Sequence, residues 1–174
     1  MELRSRNILL RPWQEEDASG LAELANNRNI ADMLRDGFPH PYTLVDAVSW
    51  IHSTIAVNNP PTLFAIMFEE KLAGGIGILL KDNIYRKNVE IGYWIGETFW
   101  GKGIATEAVK LIVEYIFRNF NVVRIYAETF TSNKASSRVL EKNGFVCEGI
   151  FSKAVIKNEV LLDSATYALL RQES

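Results

Sequence analysis

The sequence predicts a mixed-sheet α/β (α+β) fold, and three observations carry that prediction. Strand and helix patterns follow one another in the order β-α-α-β-β-β-α-β-α-β-β along 174 residues, a length that suits one domain over 1–174. Short polar gaps such as Glu69-Glu70-Lys71 and Asn158-Glu159 join neighbouring strand patterns as hairpins, so those strands pair antiparallel. A long helical pattern separates the strands at 88–96 and 122–129, and such a crossover makes that pair parallel.

Residues 7–13 read as a first strand that stops at Pro12, since proline cannot donate to a ladder. Asp17 opens a helical pattern with Leu21, Leu24 and Ala25 on one face, running to about Asn27. Residues 28–42 are irregular and end in Phe38-Pro39-His40-Pro41-Tyr42, where two prolines force a loop. Thr43 is the N-cap of a helix through Val57, with Asp46 completing a capping box. Strands follow over Leu63–Phe68, Leu72–Leu80 and Asn88–Gly96. The helix from Gly103 to Asn119 has an apolar stripe of Ile104, Ala108, Leu111, Ile112, Tyr115 and Ile116, and Glu114–Arg118 pairs across its charged side. Val122–Thr129 is a strand, and Asn133–Asn143 a short helix closed by Gly144. Strands at 145–157 and 160–170 end the chain.

Composition narrows the function. A net charge of -2 argues against a dedicated nucleic-acid binder, whose domain carries a basic excess. No apolar run reaches the roughly 18 residues of a membrane span, and the N-terminus lacks a signal-peptide pattern. A cytoplasmic protein is expected. A chain of this length buries roughly 70% of its unfolded surface and needs no staple of disulfide or metal. The lone Cys147 lies in the apolar run Phe145-Val146-Cys147 and reads as a small core residue.

The stretch Gly96-Glu97-Thr98-Phe99-Trp100-Gly101-Lys102-Gly103-Ile104-Ala105-Thr106 carries the chemistry. A strand ends, a turn of small residues follows, and a helix starts inside it. Small side chains let an anion reach the backbone N–H groups, and the helix start adds partial positive charge. A phosphate site is the physical expectation. It is not a P-loop, because Gly103 stands where a magnesium-binding Ser or Thr is required. Nor is it a dinucleotide fingerprint, because the third glycine is missing.

This segment resembles the pyrophosphate loop of the GNAT superfamily of N-acetyltransferases, whose pattern is Arg or Gln, two residues, Gly, any residue, then Gly or Ala. Gly103 and Ala105 match, and Trp100 stands where Arg or Gln is commoner. Glu90-Ile91-Gly92-Tyr93-Trp94-Ile95 and Thr106-Glu107-Ala108 resemble the branch holding the ribosomal-protein N-terminal (alanine/serine) acetyltransferases. So do Leu9-Arg11-Pro12, Phe38-Pro39-x-Pro41-Tyr42 and Asn133-x-x-Ser136-x-x-x-Leu140-x-Lys142-x-Gly144-Phe145. The likeness spans nearly the whole chain and implies a mostly antiparallel sheet whose two central parallel strands splay apart. It further implies acetyl-CoA as co-substrate without a metal. Gly101, Lys102, Gly103, Ile104, Ala105 and Thr106, next to Trp100, would cradle the pyrophosphate, with Ile95 and Asn133 on the pantetheine arm.

Acetyl transfer to an amine needs the amine neutral, and a positioned base contributes roughly 10²–10⁴-fold. Glu90 resembles the family's glutamate base, with Glu128 in reserve. Leu140 occupies the position of the usual tyrosine acid, so Ser136 is the candidate partner of the departing thiolate and also contacts the cofactor. His40 borders the acceptor site by this likeness, whereas His52 reads as a surface or packed histidine. Tyr93 and Trp94 alternate across their strand, one to the core and one to the cleft. The acceptor stays open between a protein N-terminus and a small amine (polyamine, amino acid or antibiotic). A non-catalytic acyl-CoA sensor remains a third reading, and the chain is expected to act as a monomer or homodimer.

Overall fold

The computed structural model describes residues 1–55 and 60–172. Its strands are β1 (Leu3–Ser5), β2 (Ile8–Pro12), β3 (Leu63–Phe68), β4 (Lys71–Leu80), β5 (Asn88–Ile95), β6 (Arg124–Phe130), β7 (Val146–Lys157) and β8 (Val160–Leu170). The helices are α1 (Ala18–Ala25), α2 (Arg28–Ala31), α3 (Leu44–Ile55), α4 (Ile104–Asn119) and α5 (Lys134–Lys142). Among the described residues the strands form one sheet in the order β1-β2-β3-β4-β5-β6-β8-β7. Every neighbouring pair is antiparallel except β5–β6, the pair joined by the helical crossover.

Period-two alternation sends β3 to two different cores. Phe64 and Ile66 pack with Ile112 and Ile116 of α4 on one face, while Ala65 packs with Leu21 of α1 and Ile51 of α3 on the other. Phe64, Ile66, Ile112 and Ile116 are all fully buried, each worth about 1.5–3 kcal/mol over the exposed state. Helices on both faces explain why the central strands read as near-continuous apolar runs.

Local signals are realised closely. The Thr43 N–H donates to Asp46 Oδ2 at 2.8 Å and the Asp46 N–H to Thr43 Oγ1 at 3.2 Å, a reciprocal cap at the start of α3. Gly144, at φ +82°, ends α5 as the Phe145 N–H returns to Leu140 O at 3.1 Å. The expected end of α3 at Val57 lies outside the described residues. Strand β1 and the short α2 add to the expected order. Strand β6 starts at Arg124 rather than Val122, whose N–H closes a turn onto Phe120 O at 2.9 Å.

Cys147 is a correction. It is exposed on β7, the sheet's edge strand, where nearly every residue faces solvent on one side or the other. Of its apolar triplet only Phe145 reaches the core, because the chain has not yet entered the strand there.

The feature that makes a site is where β5 and β6 stop pairing. They share only Asn88↔Arg124, Val89↔Ile125 and Glu90↔Tyr126. Beyond Glu90, β5 keeps to β4 as far as Ile95↔Gly74, and β6 keeps to β8 as far as Phe130↔Ser164. The two strands part, and each turns one edge of backbone donors and acceptors toward the gap.

Candidate active site

Glu90 sits where the strands part, its residue only 9% exposed. Three groups surround its carboxylate. Arg35 donates from Nη2 to Oε1 at 2.5 Å, Lys81 from Nζ to Oε2 at 2.7 Å, and Tyr126 from its hydroxyl to Oε2 at 3.3 Å. The same Arg35 Nη2 reaches Glu128 Oε2 at 3.0 Å, so the guanidinium bridges the first-choice base and the reserve one. Burial on its own would raise the Glu90 carboxyl. The Lys81 hydrogen bond and the nearby charges of Arg35 and Lys81 reverse that sign and hold it below the ordinary carboxylate range. Glu90 is therefore ionised at neutral pH and weakly basic.

Lys81 was legible in principle. Glu90 pairs with Leu79 on β4, and Lys81 lies two residues further along that chain, the diagonal neighbour on the same side. Arg35 comes from the irregular segment after α2, and nothing local in its sequence points to Glu90.

The glycine-rich turn has the form a phosphate needs. Gly101 and Gly103 take φ +77° and +75°, the left-handed region that favours glycine. A side-chain carbon built at either would meet no heavy atom within 4 Å, so the space in front of both is open. The first amide of α4 with an acceptor is that of Glu107, which donates to Gly103 O at 3.2 Å. Among the described residues, the N–H groups from Gly101 to Thr106 have no acceptor of their own. Ile104 itself is buried, leaving its backbone to the site, whereas Lys102 is exposed with its ammonium 5.3 Å from the Phe99 ring centre. Trp100 has a bond of its own here: its indole N–H donates to Ile95 O at 2.7 Å and ties the turn to the end of β5. Glu97 anchors the turn from below, accepting from Asn29 Nδ2 at 3.0 Å and from Asn27.

Across the gap, Asn133 caps α5, its Oδ1 accepting from the Ser136 N–H at 3.1 Å. Ser136 Oγ lies 2.8 Å from the Tyr93 hydroxyl, and either oxygen can donate. Burial pushes the Tyr93 phenol up to about 12, against the opposing pull of the Ser136 hydrogen bond, so it stays protonated at any working pH. Leu140 is wholly buried in the core. Tyr93 on β5 thus pairs with Ser136 across 43 residues, a contact that sequence reading missed.

A cleft of about 720 Å³ runs through the gap and takes in Glu90, Glu128, Tyr93, Asn133 and Ser136. Tyr93 and Trp94 alternate as expected, each packing against a different core, but both also line the cleft, where only one was expected. The cleft passes between the parted strands and so reaches both faces of the sheet. Gly101–Thr106 lie outside it, at the neighbouring helix start. His40 does not line it, although Phe38 and Tyr42 of the same loop do. His52 is a surface residue, its Nε2 3.7 Å from Glu15. Among the described residues, no helix is long and apolar enough to cross a membrane and no cluster of His, Cys, Asp or Glu could hold a metal ion.

A parted parallel pair, with free amides at the adjoining helix start, defines an N-acetyltransferase class of enzyme once known proteins are compared. The family model described as acetyltransferase (GNAT) domain matches residues 7–146, which include the parting strands, the turn and both flanking helices. The chain belongs to this family. It is 28% identical over 183 aligned residues to the putative ribosomal N-acetyltransferase YdaF of Bacillus subtilis (strain 168), covering 97% of this chain and 94% of YdaF. It is 26% identical over 145 residues to the spermidine N(1)-acetyltransferase of Escherichia coli (strain K12), covering 83% and 76%. Among solved structures, the microcin C7 self-immunity acetyltransferase MccE, in complex with acetyl-CoA and AMP, superposes with TM-score 0.84 at 26% identity over 96% of this chain and 94% of MccE.

Proposed function

We propose that this N-acetyltransferase takes its acetyl group from acetyl-CoA and transfers it directly, in a ternary complex, to the amino terminus of a protein, ribosomal proteins being the leading candidates. The observation that carries this reading is the single cleft shared by a carboxylate, Glu90, and a hydroxyl, Ser136, from opposite sides of the parted strands. The open cradle at Gly101–Thr106, tied down by Trp100, fits a pyrophosphate, with Lys102 beside it. The free strand edges near Ile95, with Asn133 opposite, fit an extended amide-bearing arm. Acetyl-CoA would supply an activated acetyl thioester there. A nitrogen–carbon bond forms as the carbon–sulfur bond breaks.

This chain's residues manage the protons. A terminal α-amino group titrates near pH 8, about two units below a lysine-type amine, so a useful neutral fraction already exists at pH 7. A weakly basic, ionised Glu90 then suffices to hold the ammonium and pass its proton to water. Ser136 Oγ, backed by the neutral Tyr93 hydroxyl, donates a hydrogen bond to the departing sulfur.

The alternative acceptor, a small amine such as a polyamine, is favoured by the likeness to the spermidine enzyme. An acceptor screen decides: CoA release is measured with the full chain, acetyl-CoA, and either alanyl or seryl peptides or small amines. The expected outcome is amine-dependent release, fastest with the peptides. Release that no amine stimulates would leave an acyl-CoA-binding sensor instead.

A further inference from the structure

The cleft holds three carboxylates, Asp36, Glu90 and Glu128, and each already has a cation of the chain's own. Lys157 Nζ donates to Asp36 Oδ1 at 2.9 Å, with the lysine side chain only 9% exposed. Glu90 is shared by Arg35 and Lys81, and Glu128 takes Arg35. A second ammonium entering this cleft would therefore find no unpaired carboxylate, and would face the cations of Arg35 and Lys157. Like-charge contact of that kind is the ordinary means by which a site rejects a wrong partner. Much of the remaining wall is aromatic or aliphatic, with Phe38, Tyr42, Trp94 and Ile156, and suits an uncharged body.

Arg35 is placed differently from the other cations. Its side chain is 66% exposed, it lies in the irregular segment after α2, and only Nη2 is engaged. Among the described residues Nε and Nη1 have no acceptor, so two N–H-bearing nitrogens of a rigid fork are unused in a residue that lines the cleft. An amine with a carbonyl oxygen one carbon away, as at a peptide terminus, offers those nitrogens an acceptor. A polyamine offers only further positive charge.

We propose that Arg35 is the specificity-determining residue of this cleft: by bridging Glu90 and Glu128 it denies both carboxylates to a second ammonium, and its free N–H groups take the carbonyl oxygen beside the reacting amine. The enzyme is thereby selective for monocationic amines bearing an adjacent carbonyl, and against polyamines. This rests on the acetyl-transfer reading above.

The test compares kcat/KM for two acceptors, an alanyl peptide amide whose only charge is its amino terminus, and spermidine. The full chain is used as wild type, Arg35→Gln and Arg35→Glu, each checked for an unchanged melting temperature. The ratio of spermidine to peptide should rise at least about fivefold in Arg35→Glu, with Arg35→Gln between it and wild type, because removing and then reversing the charge frees the carboxylates in steps. A smaller rise in Arg35→Glu, with both acceptors turned over, overturns the role of Arg35 alone. No CoA release with either acceptor in the wild type overturns the acetyl-transfer reading and this proposal together. Arg35 is exposed, so loss of fold is not the expected outcome. Should Arg35→Glu not fold, Arg35→Gln decides by whether its ratio exceeds that of wild type.

Discussion

At the scale of single residues, the proposed chemistry turns on Glu90 and the charges around it. A carboxylate held below its ordinary range is already ionised at neutral pH, so it does not itself set the rise of activity with pH. That rise should follow the acceptor amine instead. Glu90→Gln is expected to keep acetyl-CoA affinity and lose about 10²-fold in kcat, the lower end of general-base effects, with partial recovery as pH is raised. Full activity at pH 7 in a folded variant would move the role to Glu128. The same residue has a stability signature with the opposite reach. Because its folded pKa is lowered, its stabilising share is complete above the ordinary value of about 4.3 and drains away as pH falls below it. A melting profile of the wild type in mild acid, set beside that of Glu90→Gln, checks this. Glu90 itself could be read from the strand pattern, and Lys81 from its diagonal place. Arg35 and Tyr93 could not, since their partners lie 55 and 43 residues away along the chain.

At the scale of elements, the turn into α4 is the part most fully specified by local sequence. Two glycines with positive φ, a long amphipathic helix behind them and unused amides between them follow from residue type and spacing alone. Gly103→Val tests the element. With no heavy atom within 4 Å of the new side chain's first carbon, the fold meets only backbone strain of about 1–3 kcal/mol. That is bearable within a typical stability of about 5–15 kcal/mol. The added bulk stands where the phosphates would lie, so calorimetry should show CoA affinity weakened about tenfold or more, a loss of about 1.4 kcal/mol per factor of ten. Unchanged affinity would remove the turn from the binding site. Trp100 shows the limit of motif reading at this scale. It departs from the family pattern, and in the structure its indole N–H fixes the turn to β5.

At the scale of the whole molecule, the proposed site joins the cleft, lined by β5, β6 and α5, to the turn that opens α4 beside it, so a ligand that spans them should tie the two halves of the sheet together. Anything that binds only the folded state stabilises it, by about 2.7 kcal/mol at a hundred times its dissociation constant. For a chain of this size that is a rise of about 5–10 °C in melting temperature with CoA. Pantetheine, lacking the phosphates, should give less. An equal rise with both would place the binding energy in the gap alone and leave the turn without a role. The sequence by itself determined the order of the main elements, the parallel β5–β6 pair, the helix caps, the glycine-rich turn and the family likeness, because each depends on side chains a few residues apart or on one crossover. It misjudged Cys147, because burial on an edge strand depends on what covers the sheet and not on local hydrophobicity. Only the tertiary structure decided that Glu90 sits where the strands part, that Arg35 bridges it to Glu128, and that Tyr93 backs Ser136. Those pairings are set by strand register and by where an irregular segment comes to rest, and neither leaves a periodic mark in the chain.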